Sequence, residues 1–408
     1  MEGAEHRRRI VRSRPWLLYL IAFIAFDLAA QIQSVAIAWQ VYSVRNSAFD
    51  LGLVGLVLFA PSLLLAPATG LIADRFDRRA IVVLASAVQI GACAALVPLA
   101  GRHGTRALVT TLAVLAVVGG ARALRWPAAS SLLASIVPPE SYMRANAAVS
   151  AVREVVRIAG PALGGVLVAI GAAPAYAVAG TAFALGAATV IPIPLLVRAP
   201  VAGPVSWRDV FAGLHFLRAQ PVIAGALTLD LFAVFFGGAT ALLPVFAVQV
   251  FHTGAAGFGV LRAAVALGAG LCAVILVRQP IHRFAGPRLL GAVACFGAAT
   301  IAFGLSTSLR VAIPALVLLG AADMVSVAVR DALVALGTPD DMRGRIYAVE
   351  GVLVIASNEL GEFESGTLAA FIGAAPAVIL GGVATLAVVA LWTWRNPSLR
   401  RADTVAPA

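Results

Sequence analysis

The 408-residue sequence predicts an all-α membrane protein with twelve transmembrane helices in two pseudo-symmetric six-helix bundles, and three observations predict it. First, 61% of the residues are hydrophobic and only 12% charged, with a mean hydropathy of +0.97, which leaves too little polar surface to clothe a water-soluble fold. Second, the apolar residues fall in long unbroken runs, and twelve spans of about 22 residues would fill roughly two thirds of the chain. Short alternating segments, the mark of an outer-membrane barrel, are absent from the pattern. Backbone groups in hydrocarbon must bond internally, so helices are the remaining solution. Third, the two halves repeat. Ile170-Gly-Ala-Ala-Pro-Ala175 recurs as Ile372-Gly-Ala-Ala-Pro-Ala377, Met143-Arg144 as Met342-Arg343, Arg75-Phe76 as Arg283-Phe284, and Asp27 has its counterpart in Asp230.

Breaking the chain at charges, Pro and Gly gives spans at 16–42, 51–73, 80–100, 107–136, 143–170, 173–197, 222–250, 256–278, 288–307, 311–336, 345–372 and 375–394. Residues 1–15 form a cytoplasmic segment, 16–197 the first bundle, 198–220 a linker, 221–395 the second bundle and 396–408 a cytoplasmic tail. Within the linker, Ser206, Trp207, Arg208, Asp209, His215, Phe216 and Arg218 read as an amphipathic helix lying on the membrane surface. The Arg-rich start runs into an apolar stretch too long for a signal-peptide core and shows no clear cleavage site, so the first span is expected to be retained.

All thirty basic residues are Arg. Twenty of them fall on the side of the N-terminus and four, Arg45, Arg102, Arg106 and Arg310, on the other, which predicts both termini in the cytoplasm of an inner-membrane protein. The net charge of +11 is therefore topological, and no nucleic-acid partner is expected. Cys93, Cys272 and Cys295 stand singly in apolar runs and read as packing residues. The five histidines fall in loops or interfacial segments, and the sequence carries no phosphate loop, nucleophile elbow or zinc pattern. Neither a cofactor nor an enzymatic activity is expected; the expected partners of a monomeric chain are a small-molecule cargo, protons and the surrounding lipid.

An unpaired ion in hydrocarbon costs at least about 2.5–3.5 kcal/mol, so the charges inside the spans must face the bundle interior. Asp27 lies roughly 16 Å into its span, near the midplane; Asp230 is comparable but shallower. Burial disfavours an ionised carboxyl and a nearby Arg favours it, so a conformational change that alters either can load or release a proton. The alternative for both is a static Asp–Arg pair that holds helices together. Arg122 and Arg125 share a face of the fourth span, and Arg153 and Arg157 a face of the fifth, where Glu154 can pair with Arg157. Arg122 and Arg157 are candidates to neutralise an acidic cargo group, or else members of a structural ion-pair network. In the eleventh span Glu359 and Glu362 share a face, with Glu364 nearer water; three carboxylates so close favour a shared proton or an Arg partner. Asp27 and Glu359 are the preferred proton-coupling residues, with Asp230 and Glu154 behind them. Arg330 and Asp331 read as structural. Phe23, Phe26, Phe232 and Phe236, with Glu362, are expected to line an apolar, adaptable cavity, although packing or lipid contact suits the rings equally.

Two signatures bear on gating. Gly70-Leu-Ile-Ala-Asp74-Arg75-Phe-Asp77-Arg78-Arg79, after the second span, resembles the loop signature of the major facilitator superfamily, with Asp77 where that family has glycine. Gly160-Pro161-Ala-Leu-Gly164-Gly165 in the fifth span resembles the glycine-proline signature of the superfamily's antiporters; small residues allow close helix contact, and Pro161 removes a backbone hydrogen bond. Arg144-Ala-Asn146, Arg343-Gly-Arg345-Ile-Tyr and Ala356-Ser-Asn358-Glu359-Leu-Gly-Glu362-Phe-Glu364-Ser-Gly366, together with the repeat, make nearly the whole chain similar to the enterobactin-exporter and macrolide-efflux branch, the transmembrane secretion effectors. The resemblance implies export of hydrophobic small molecules, commonly siderophores or antibiotics, driven by the proton gradient. An importer or lysolipid flippase on the same fold, or a membrane receptor without transport of its own, are the competing readings.

Overall fold

A computed structural model describes residues 14–137, 139–194, 215–279, 281 and 283–402. The N-terminal segment, most of the linker with its expected surface helix and the last six residues lie outside the described residues; of the linker helix, residues 215–219 are described and are helical.

Among the described residues there are twelve long helices in chain order: α1 (Arg14–Arg45), α2 (Ala48–Arg75), α3 (Arg78–Leu96), α4 (Thr105–Ile136), α5 (Pro139–Ile170), α6 (Ala172–Val190), α7 (Pro221–Phe236), α8 (Gly254–Arg278), α9 (Ala285–Gly304), α10 (Leu309–Gly337), α11 (Asp340–Ile372) and α12 (Ala374–Arg395). The fold is all-helical, as the composition requires. Ten stretches, with α7 extended to Val250, are long and apolar enough to cross a membrane. The two that are too polar for that description, α5 and α11, occupy corresponding places in the repeat and carry Arg153, Glu154 and Arg157 in one case, Glu350, Glu359, Glu362 and Glu364 in the other. Polarity concentrated on one pair of helices is what a functional lining requires.

The described residues fall into two compact units, one within Met1–Gln40 and Ala60–Pro204, the other within Val41–Phe59 and Val205–Ala408. The first part of α2 therefore packs with the second unit. There Gly52 lies against the Phe363 backbone of α11 and Gly55 against the Glu359 carbonyl, each so close that a β-carbon would meet main chain. Within the first unit, a β-carbon on Gly160 would stand 2.5 Å from the Gln31 side chain, and one on Gly164 would stand 3.0 Å from Val35. The glycines read as gating residues thus seat α5 on α1. Gly165 is buried beside them, and Pro161, inside α5, leaves the Arg157 carbonyl without its usual helical donor.

The six-residue repeat has one structural meaning in both units. It ends a long helix and restarts the next after a single residue, Gly171 between α5 and α6 and Gly373 between α11 and α12. Gly373 has φ +88°, a conformation that favours glycine, and its N–H donates to the Ala369 carbonyl at 2.9 Å.

The loop between α2 and α3 explains why Asp77 replaces glycine. Its backbone is extended (φ −59°, ψ 120°), so no glycine is needed, and its side chain caps α3 by accepting the Arg79 N–H at 2.8 Å. The Arg79 guanidinium beside it holds the Asp77 carboxyl below the usual range, chiefly through their side-chain hydrogen bond. Arg78 donates to Ser135 Oγ of α4 at 2.6 Å and Arg79 to the Ile193 carbonyl at 3.0 Å, so both arginines tie the start of α3 to its neighbours. Gly70, Asp74 and Arg75 lie on the last turns of the α2 helix; their side chains fall outside the described residues.

The seventh span departs from the continuous helix expected at 222–250. After Phe236 it becomes a 3₁₀ segment (Gly238–Leu242), a short α-turn (Leu243–Val245) and a π-turn (Phe246–Val250). Pro244 has no N–H for the Thr240 carbonyl, and Gly237-Gly238 lowers the cost of unwinding. Small residues grip the break: Gly361 of α11 lies against the Phe235 backbone, and Gly381 of α12 against the Phe236 carbonyl. Beyond α12 a short helix, Pro397–Arg400, buries Leu399 in the core formed by Leu229, Leu289, Val293 and Leu333.

Candidate functional site

In the first unit, α1 presents Tyr19, Ala22, Phe23, Phe26 and Asp27 to a cavity whose empty space, part of it open to the surroundings, is about 580 Å³, a stripe at the 3–4 residue spacing of one helix face. Facing it are Arg125, Ala129, Leu132 and Leu133 of α4, and Asn146, Val149 and Arg153 of α5. Asp27 and Arg125 stand 3.9 Å apart with side chains 18% and 11% exposed, an ion pair at the limit of direct contact. Rings hold the cations in place: Arg125 lies 5.2 Å over Phe26, and Arg153 5.6 Å over Phe23. Among the described residues, two guanidiniums and one carboxylate line the cavity, an excess of positive charge.

The α1–α4 register continues along the pair in antiparallel order. Tyr19 donates to the Ala129 carbonyl at 3.2 Å, Arg122 to Gln33 at 3.3 Å, and Gln40 to Thr111 at 3.4 Å. Gln33, fully buried, also donates to Gln89 Oε1 at 3.2 Å. Arg122 is thus one turn beyond the cavity, in a neutral polar string that fixes α1 against α3 and α4. Arg157 pairs with Glu154 at 2.9 Å, three residues apart on α5 and each 37% exposed, and neither lines the cavity. The arginines that reach the cavity are Arg125 and Arg153. Helix phase alone puts Arg122 with Arg125 and Arg157 with Arg153; which turn meets the cavity is decided by how far α4 and α5 slide along α1.

In the second unit, Asp230 of α7 is buried and pairs with Arg330 of α10 through a close contact to Nη1, while Ser326 donates to its other oxygen at 3.4 Å. Arg330 also reaches Asp331 from Nη2 at 2.9 Å and Glu350 of α11 from Nε at 3.2 Å. One guanidinium, 9% exposed, therefore serves three carboxylates. A cavity of about 220 Å³, lined by Asp230, Asp323, Ser326 and Phe296 among others, adjoins the network. Glu350 was not singled out by the sequence reading, because it stands near the start of its span where charges are ordinary.

Of the other candidates, Phe232 and Phe236 stack on each other at 6.4 Å, and Phe232 meets Trp392 at 5.5 Å; they form an aromatic packing cluster on α7 and α12. Glu359 is half-buried on α11, Glu362 is the electrostatic partner of Arg262 on α8, and Glu364 accepts from Ser365 at 3.2 Å. Two of the three α11 carboxylates thus meet different neighbours, Arg262 for Glu362 and Ser365 for Glu364.

Comparison with known proteins agrees with this architecture. The family model described as transmembrane secretion effector matches residues 12–407. The chain is similar to the enterobactin exporter EntS of Citrobacter koseri (25% identity over 399 residues, 94% of this chain and 92% of that one) and of Escherichia coli O1:K1 (24% over 405 residues, 96% and 93%). Among solved structures it resembles a bacterial homologue of ferroportin in an inward-facing state (TM-score 0.69, 14% identity, covering 95% of this chain and 99% of that one). It also resembles a bacterial homologue of the human lysosomal transporter Spinster (TM-score 0.67, 16% identity, 95% and 97%). Those likenesses carry the fold, and the family match carries the class. The chain belongs to the transmembrane secretion effector family and is a multi-pass membrane transporter of the major facilitator type, not an enzyme.

Proposed function

We propose that the protein exports hydrophobic or amphipathic small molecules, siderophore-like or antibiotic-like, out across the inner membrane in exchange for protons by alternating access, with both termini in the cytoplasm. The observation that carries this reading is Asp27, a carboxylate held 3.9 Å from Arg125 in a cavity walled by Tyr19, Phe23 and Phe26. The rings cover the apolar body of a cargo, and Asp27 gives it a polar anchor. Exchange has a required sign: the cargo must use the ionised carboxylate, so that protonation expels it. A cargo hydroxyl or amine donating to Asp27 meets that requirement. The similarity to proteins named enterobactin exporters supports outward transport, and the excess of arginine in 1–14, 75–79 and 395–401 supports cytoplasmic termini.

A second reading draws on the positive excess of the same cavity. An anionic amphiphile such as a lysolipid, bound by Arg125 and Arg153, would draw the counter-ion from Asp27 and favour its protonation. Cargo and proton would then travel together, in an importer or flippase. Transport by inverted membrane vesicles of siderophores, macrolides, dyes and lysolipids, with and without a pH gradient, separates the two. Export predicts gradient-driven uptake that Asp27→Asn abolishes while folded protein remains in the membrane. Undiminished uptake in that variant would reject the role of Asp27.

A further inference from the structure

The charge arrangement around Arg330 is unbalanced, and the imbalance has a location. Asp230, Asp331 and Glu350 surround one guanidinium. Asp230 takes Nη1 and Asp331 takes Nη2. What remains for Glu350 is the single Nε–H at 3.2 Å, which also points to Asp331 Oδ1 at 3.2 Å. One N–H shared between two carboxylate oxygens serves neither fully, so the Glu350 and Asp331 carboxyls converge on a single hydrogen. Two ionised carboxylates so placed have no further hydrogen to put between them. With all three ionised, the network would hold a net charge of −2, much of it at the buried Asp230 and Glu350, and adding one proton halves that excess and supplies the missing donor.

We propose that Glu350 carries a proton at neutral pH and donates it to Asp331, which makes this network a second proton-binding site of the transporter. Asp331 is 55% exposed, whereas Glu350 and Asp230 are 11% and 7% exposed, so Asp331 is the accessible end of the site and, on this proposal, the proton's route. Among the described residues, the charged groups that act on Glu350 are Asp331 and Arg330 of α10 and Asp230 of α7; Asp323 of α10 lines the small cavity beside Asp230. Arg330 is a positioning residue, since it fixes all three carboxylates without itself exchanging the proton. The part this proton plays in a cycle rests on the proton-coupled export proposed above, whereas its presence does not.

Infrared titration of the full-length protein in lipid tests the proton directly, because a protonated carboxyl has a carbonyl absorption that a carboxylate lacks. Expected is a carboxylic band at neutral pH that loses one carboxyl's intensity in Glu350→Gln and persists, shifted, in Glu350→Asp. Asp331→Asn, at an exposed position where folding is less at risk, is expected to keep the band but shift it through loss of the acceptor. A band that neither Glu350→Gln nor Asp331→Asn alters would overturn the proposal. Proton-to-cargo ratios in vesicles then separate the two levels. Wild type with the band but without gradient-driven export would leave the shared proton standing and remove the export reading. Gradient-driven export with no such band would do the reverse.

Discussion

Asp27 and Asp230 occupy matching places in the repeat, 203 residues apart, yet their surroundings are opposite. Asp27 sits in an unbroken helix, makes one long ion pair, shares its helix face with three rings and faces two arginines across an open cavity. Asp230 sits seven residues before a break in its helix, makes a close pair and belongs to a network with more carboxylates than cations. In the first unit the fifth helix brings a cation, Arg153, over Phe23 at the cavity, whereas in the second unit the eleventh helix brings an acid, Glu350, to Arg330. A loosely held ion with room around it can exchange partners with a ligand, whereas a tightly held one with neighbours on every side can only rearrange with its helices.

Substitutions that act on one unit and not the other sharpen the contrast. The largest loss is expected from Arg330→Ala, which leaves three carboxylates without their cation. Removing one member of a buried pair costs about 3–5 kcal/mol, so the variant should fail to accumulate, as read by membrane yield and thermal unfolding in detergent. Arg125→Ala should cost less, because Asp27 at 3.9 Å already keeps a cavity in which to be solvated or protonated; equal losses would erase the distinction.

Next in size is the α1–α5 seat. A side chain at Gly160 must displace Gln31, and overpacking of this kind costs about 1–3 kcal/mol. Gly160→Val should lower the unfolding temperature and slow transport together, while Gly351→Ala in α11, where a β-carbon meets open space, should do neither. Phe23→Ala removes the ring beneath Arg153, a contact worth about 0.5–2 kcal/mol. A several-fold weaker apparent cargo affinity is expected in transport assays, together with a loss of stability, since Phe23 is buried. Phe232→Ala, at a more exposed position outside the cavity, should leave affinity unchanged.

The smallest effect is expected at the edge of the membrane. Asp77→Ala removes the α3 cap, worth about 0.5–2 kcal/mol. Because Arg79 lowers the Asp77 pKa in the folded protein, the stabilisation is complete above the ordinary carboxylate range and fades as pH falls through the lowered value. Wild type and variant should therefore differ in unfolding temperature at neutral pH and converge in acid.

The frame was legible in the sequence because its causes are local. Apolar run length set the helices, and the repeated Ile-Gly-Ala-Ala-Pro-Ala marked the same one-residue turn in both units. On α1 the sequence marks Phe23, Phe26 and Asp27, while Tyr19 and Ala22, one turn before them on the same face, carry no such mark. What the sequence withheld depends on how helices slide against one another. Arg122 and Arg125 share a face, and only the register with α1 decides that Gln33 meets the first and Asp27 the second. Glu350 was hidden for the same reason: a charge near a helix start is ordinary until Arg330 of another helix is found 3.2 Å away. The break after Phe236 came from Pro244 acting with glycines on facing helices, which no single-span pattern records.

The account turns on Asp27 being the carboxylate whose protonation governs cargo. Equilibrium binding of a cargo identified in the vesicle panel, measured on the full-length protein across the neutral pH range, tests that directly. Affinity should rise with pH in wild type and in Asp230→Asn, and lose its pH dependence in Asp27→Asn. An unchanged slope in Asp27→Asn, or an affinity that falls as pH rises, would contradict it.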